Sequence, residues 1–467
     1  MKSSKTATGT NGDQAITHTK VLGIAVPIIL SNVTEPLIGV ADTAVLGQLG
    51  DAHLIGAAAL GATIFSMVFW AFGFLRMGTS GLTAQADGAR NDAEVVASLG
   101  RALLIAIIAG FALILLQWPI AKVVFAFIQG SAAVEDATRS YFTIRIWSAP
   151  AALANFAILG WLIGIARTDL ALIVQLVLNL LNIALDVIFV MGLGYGIEGV
   201  AIGTVLAQFV AVVVGLALVR SQVRRRSAMP SFSEIIERSK LVRTLSVNRD
   251  IMIRTLVLLA AFVFFMAEST RAGDLTLAAN SVLMNLESVA IYLLDGFAYS
   301  AQVLVGNAVG ANQRAHFSRA AWLSSLWAGV ISLCLCLIFW MFGETFIDWM
   351  TVNEEVREAA RRYLIWLIII PAVGVAAFQL DGIFIGATRT VDMRNMSVVS
   401  TGAYFAAWAL LTPAFGNHGL WASLIVLFVA RALSLLACYP AMMRKLFPVS
   451  DGAPQSAKRN AARDVAS

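Results

Sequence analysis

Charge is scarce in this chain. Asp, Glu, Lys and Arg together make up 13% of 467 residues, about half the ~25% usual for soluble globular proteins. A water-soluble fold of this length is excluded on that ground. Cysteine is nearly absent. Cys334, Cys336 and Cys438 lie in apolar stretches and form no CxxC pair, which excludes a disulfide framework and a zinc knuckle and leaves them as small packing residues. The four histidines, His18, His53, His316 and His418, fall at loops or helix ends and read as solvated. No GxxxxGK[ST] occurs, so no phosphate-binding loop supplies energy. HExxH and GxGD are also missing, which removes the two common intramembrane protease patterns. The chain reads as a non-enzyme without a cofactor.

What is present is apolar sequence. Hydrophobic residues make up 59% of the chain, and the mean hydropathy is +0.81. Stretches of ~20 mostly apolar residues recur, each long enough to cross a bilayer as a helix. Twelve can be counted, the first over about 21–46 and the last over about 419–443. Their long, continuous periods favour helices over barrel strands. Residues 1–20 are polar and lack the apolar core of a cleavable signal. Twelve spans put both ends on one side, and Lys/Arg counts choose which. Arg224, Arg225, Arg226, Arg238, Lys240, Arg243 and Arg249 between spans six and seven, with Arg444, Lys445, Lys458, Arg459 and Arg463 in the tail, place both ends in the cytoplasm. The net charge of +5 is explained by this orientation and calls for no nucleic acid. Arg357, Arg361 and Arg362 fall outside, interleaved with Glu354, Glu355 and Glu358.

The two halves resemble each other. "GDAHLIGAAAL" from 50 aligns with "GDLTLAANSVL" from 273, "GWLIGIART" from 160 with "GIFIGATRT" from 382, and "GIEGVA" from 196 with "GNHGLW" from 416. A unit of six spans is even, so both copies point the same way. The expected fold is therefore an all-α membrane protein, twelve transmembrane helices in two six-helix lobes related by a parallel pseudo-two-fold repeat. The expected organisation is a cytoplasmic segment over 1–20, an N-terminal lobe over 21–220, a linker with an amphipathic helix over 221–248, a C-terminal lobe over 249–446 and a disordered tail over 447–467.

Intramembrane polar residues are expensive and mark candidate sites. Glu35 and Asp42 are seven apart in the first span, two turns on one helical face. In "NLLNIALDVIFV", Asn179, Asn182 and Asp186 share a face of the fifth span. Thr204 lies in the sixth. Two carboxylates with amide and hydroxyl oxygens can hold one proton or one hard cation such as Na⁺. The bland alternative is a polar knot that glues helices; Asn179 reads that way, while Asp42 and Asp186 read as functional because asparagine would glue at lower cost. In the second half, Glu287, Asp295 and Asp381 face two readings: an ion pair with Arg254 that stabilises the lobe, or a second protonation or substrate-cation site. Pro27 removes a backbone hydrogen bond from the first span and permits a hinge.

Together, "AVPIILSNVTEPLIGVADTAVLGQLG", "NIALD", "GVAIGTVLAQ" and "LDGIFIGATRT" resemble the multidrug and toxic compound extrusion family, in its DNA-damage-inducible protein F branch. The resemblance covers about 20–445. It implies a bacterial inner-membrane antiporter, a monomer among lipids, that exports organic and often cationic small molecules in exchange for H⁺ or Na⁺ by alternating access. It implies a coupling site at Asp42, Asn182, Asp186 and Thr204, with Na⁺ as its conceivable metal and Asn155 nearby. Glu35 would then line the substrate cavity. A flippase for a lipid-linked intermediate is the nearest alternative, and a non-transporting scaffold or receptor a more distant one.

Overall fold

A computed structural model describes residues 15–49, 51–127, 131–226 and 230–448. The expectations for residues before 15 and beyond 448 lie outside them. Twelve helices long and apolar enough to cross a membrane run through the described residues: α1 His18–Gly47, α2 His53–Gly88, α3 Asp92–Leu115, α4 Ala132–Gly164, α5 Thr168–Gly192, α6 Gly196–Val223, α7 Arg238–Arg271, α8 Asp274–Gly310, α9 Arg314–Met350, α10 Glu354–Gly386, α11 Thr390–Phe415 and α12 Asn417–Leu446. Side-chain caps close several starts. Asn91 Oδ1 accepts from Glu94 N at 3.0 Å and Asn353 Oδ1 from Val356 N at 3.2 Å, satisfying amides that a helix leaves unpaired at its first turn. Large apolar side chains such as Trp118, Trp340, Trp349 and Leu433 stand exposed on the outer surface, as a protein solvated by lipid requires.

The helices are interrupted where sequence pattern alone does not show it. Helix α2 breaks at Phe72–Gly73. Helix α4 passes through a 3₁₀ turn at Ile146–Ser148, just ahead of Pro150. Helix α5 ends in a π-helical turn over Val187–Gly192, a feature common at functional sites. Helix α1 carries Pro36 as well as Pro27 inside it.

The internal repeat is visible in the backbone. Among the described residues four non-glycine positions adopt a left-handed conformation: Arg90, Ala166, Asn312 and Thr388. The first and third, and the second and fourth, are each 222 residues apart. Each ends a helix in the same way. Asn91, Arg167, Gln313 and Arg389 donate their backbone N–H five residues back, to the carbonyls of Ala86, Leu162, Ala308 and Phe384, at 2.8–3.0 Å. This is the Schellman closure, repeated in both lobes.

The lobes α1–α6 and α7–α12 meet along α1, α2 and α8. On the face that carries the linker the seam is tight and reciprocal. A Cβ on Gly88 would stand 2.0 Å from the Asn307 carbonyl oxygen, and one on Gly310 would stand 1.9 Å from that of Gln85. Only glycine permits that approach, and both pairs obey the same offset. Side chains reinforce it: Gln85 Nε2 donates to Gly386 O at 2.8 Å, and Asn307 Nδ2 to Asp87 Oδ2 at 3.3 Å. The linker docks here. Arg226 bonds Asp87 at 2.6 Å and Asp92 at 2.9 Å. Its helical piece is a single turn, Phe232–Ile235, whose Ile235 lies on Gly100 of α3. Leu241 and Leu245, expected on a surface helix, belong instead to the first turns of α7.

Candidate functional site

Asp186 is the last residue of the regular part of α5, just before its π-helical turn. It is completely buried. Gly203 of α6 makes room for it, since a Cβ there would lie 2.6 Å from Asp186 Oδ1. The buried Asp42 of α1 stands near it, close enough for the two carboxyl groups to act on each other electrostatically. With both ionised, neither oxygen of Asp186 nor Oδ1 of Asp42 receives a protein N–H or O–H. Burying bare carboxylates in this manner is costly. One proton held between them would supply the hydrogen bond that two carboxylates cannot make.

Asn182, one turn before Asp186, and Thr204 of α6, next to Gly203, lie beside the acid pair. Asn182 Nδ2 donates to Thr204 Oγ1 at 3.1 Å, and Thr204 Oγ1 donates to Val200 O at 3.0 Å. Asn182 Oδ1 is left buried without a donor. Asn155 lies on α4 and bonds Gln208 of α6 through Nδ2, at 2.7 Å to Oε1 and 3.1 Å to the backbone oxygen. Asn179 behaves as helix glue: it accepts from Gln175 at 2.9 Å and donates to Thr34 of α1 at 2.8 Å.

A cation that sequence reading missed belongs to this site. Arg145 of α4 acts electrostatically on both Asp42 and Asp186. It donates to Tyr141 Oη and lies over the Phe65 ring at 5.0 Å. Its signal was weak because it sits in "TRSYFTIRIW", a polar-looking approach to the fourth span.

Glu35 has different neighbours. Its charge acts on Arg76 of α2 and Tyr292 of α8, as does that of Asp295. The side chain is exposed. Seven residues on one helix suggested a shared face with Asp42, but the two acids address different surroundings, Asp42 buried and Glu35 exposed. Arg76 spans the lobes, with Nε donating to Tyr299 Oη at 2.8 Å.

The C-lobe acids are not one site. Asp381 is gripped by two guanidinium groups, Arg254 and Arg431, so the stabilising ion pair foreseen for Arg254 is present with a second arginine added. Asp295 acts on Arg254 and Arg76. Glu287 is completely buried within the C-lobe core, with no donor on either oxygen. Among the histidines, His418 is only half-buried and accepts from Trp366 Nε1 at 3.0 Å, so it is not simply solvated.

Twelve membrane-length helices in two lobes, closed against each other on one face, with paired carboxyls buried inside one lobe, define a multi-pass membrane protein of transporter architecture. The model of the MatE family matches residues 27–188 and 251–406. DNA damage-inducible protein F of Escherichia coli (strain K12) is 40% identical over 431 residues, 92% of each chain. The fold is shared with an outward-facing multidrug resistance MATE family transporter, at a TM-score of 0.84, 16% identity and coverage of 94% of this chain and 100% of that one. It is shared too with the Vibrio cholerae MATE transporter VcmN in its bent form, at 0.80, 18%, 92% and 97%. The chain belongs to the multidrug and toxic compound extrusion family.

Proposed function

We propose that this protein is a secondary antiporter that exports small organic compounds, with Asp42 and Asp186 as the exchange site for the coupling ion. The observation that carries the proposal is the pair of buried, donor-free carboxyls beside Arg145. Such a pair is stable when it holds a proton. Loss of that proton leaves charge that Arg145 alone partly offsets, which favours a different packing of α1 against α5. Pro27 and Pro36 give α1 the freedom to change its course. The tight seam on the linker face supports an arrangement closed to the cytoplasm, given the Lys/Arg excess on that face. Substrate would meet Glu35 between the lobes, and that acid supports a preference for cationic cargo.

A nearby guanidinium disfavours a second resident cation, so we take H⁺ as the coupling ion. Sodium is the second reading, favoured by the free oxygens of Asp42, Asn182 and Asp186, which are the hard donors Na⁺ takes. The test is efflux from proteoliposomes under an imposed proton gradient and, separately, an imposed sodium gradient, for the wild type and Asp186→Asn. Proton-driven efflux that vanishes in a well-folded Asp186→Asn is expected. Efflux driven by sodium alone would move the reading to Na⁺. Undiminished efflux by Asp186→Asn would remove Asp186 from coupling.

A further inference from the structure

A cavity of about 350 Å³ opens on the linker face, between the lobes and away from the acid pair. Its walls come from both lobes: Gln85, Asn91, Glu94 and Arg101 on one side, Lys240 and Arg243 on the other. Three cations thus line it against one acid. That acid is already engaged, since Glu94 pairs with Arg101 and with Lys240 at 3.2 Å. Lys240 also meets Glu237 at 2.9 Å. Among the described residues Arg243 meets no carboxylate, and it bonds the neutral Gln85 Oε1 at 3.0 Å. Arg101 is almost wholly buried and its guanidinium is spent on Glu94 and the Glu234 carbonyl, so it stiffens the wall and leaves Arg243 as the cation with charge to spare. The volume lies at the lower end of the range for small-ligand sites.

We propose that this inter-lobe cavity binds a phosphate group, held by Arg243 and Lys240. Arginine suits it because the planar guanidinium offers donors in the geometry that phosphate oxygens accept. The group can arrive as a soluble anion or as the headgroup of an acidic phospholipid in the adjoining leaflet, where juxtamembrane cations concentrate such lipids. A phosphate in this place touches both lobes where they already meet, so binding stabilises the closed seam by mass action. The proposal does not depend on the transport reading.

The experiment follows the thermal unfolding midpoint of the whole protein in two settings. In uncharged detergent, inorganic phosphate is titrated against chloride at matched ionic strength. In nanodiscs, phosphatidylcholine alone is compared with phosphatidylcholine containing phosphatidylglycerol. Arg243→Gln is the main variant, because Arg243 is exposed and its loss leaves the folded core intact. Arg225→Gln removes an equal charge from the same face outside the cavity. A rise in midpoint for the wild type and for Arg225→Gln is expected, with Arg243→Gln needing ~10- to 100-fold more ligand for the same rise, the loss of one charge-assisted contact. A rise with phosphate assigns the soluble anion, and a rise with phosphatidylglycerol alone assigns the lipid. No rise in either setting, or an equal rise in both variants, overturns the proposal.

Discussion

Gly203→Ala tests the acid pair without touching either acid. The added methyl would stand 2.6 Å from Asp186 Oδ1, whereas real Cβ contacts do not fall under 3.0 Å. The carboxyl must therefore give way by at least 0.4 Å. Leu185 Cβ at 3.3 Å and the Asp186 backbone nitrogen at 3.4 Å bound the same space, so the carboxyl swings away from α6 and towards α1. Forcing a side chain off its rotamer costs ~0.5–1.5 kcal/mol. Alanine for glycine in a helix interior returns up to ~1 kcal/mol. The two nearly cancel, and global stability should stay within about 1 kcal/mol of wild type.

Function should not be spared, because the displaced group is the one proposed to exchange the ion. A coupling loss of ~1–3 kcal/mol, or about 5- to 150-fold in driven efflux, is the ordinary range for a disturbed linkage between sites. The assay pairs thermal unfolding in detergent with proton-driven efflux in proteoliposomes. Gly329→Ala is the control, since a methyl at 329 would meet nothing within 4 Å. A stable Gly203→Ala protein that exports at the wild-type rate with the wild-type pH profile would refute the reasoning.

Three further outcomes are expected. Glu35→Gln should weaken export of a cationic compound more than of a neutral one while leaving ion coupling partly intact, and Asp42→Asn should abolish coupling for both; equal loss of the two compounds in Glu35→Gln would place Glu35 in the ion site. Asp381→Asn should destabilise the protein by ~3–5 kcal/mol in chemical denaturation, because it strands the buried Arg431 and the half-buried Arg254; a change under ~1 kcal/mol would mean water or lipid headgroups compensate them. In a background without the native cysteines, an impermeant reagent on intact cells should label a cysteine at Asp51 and spare one at Arg225; the reverse pattern would invert the orientation.

Much of the architecture was legible because it depends on period and repetition. Twelve apolar stretches are twelve helices, and the offset near 222 read from "GWLIGIART" and "GIFIGATRT" reappears in the left-handed residues that close four helices. The i, i+4 spacing already put Asn182 and Asp186 on one helical face; the structure sets Thr204 against Asn182 and Asp42 near Asp186. What was not legible depends on the rotation and interruption of helices. Nothing in periodicity says that Glu35 and Asp42 meet different neighbours, or that α7 begins at Arg238. Arg145 and Arg431 were passed over for a related reason: the partner of a buried acid is chosen in three dimensions, often from a segment whose sequence looks like a helix end.

The repeat also explains why the acid pair occurs in one lobe. The residues 222 positions beyond Asp42, Asn182 and Asp186 are Phe264, Tyr404 and Trp408. These three come together as well: the Phe264 ring lies 4.8 Å from Trp408 and 6.2 Å from Tyr404, both edge-on. The same helix crossing thus holds carboxyls and an amide in one lobe and interlocked rings in the other. Edge-to-face rings contribute ~0.5–1.5 kcal/mol each beyond their burial, which makes the C-lobe crossing a rigid joint. The N-lobe crossing has carboxyls where the C-lobe crossing has rings. The glycine contacts of the seam are the same in both halves, so the duplicated fold is held at its axis by backbone shape. Away from the axis the two copies differ, one crossing lined by interlocked rings and the other by the acid pair.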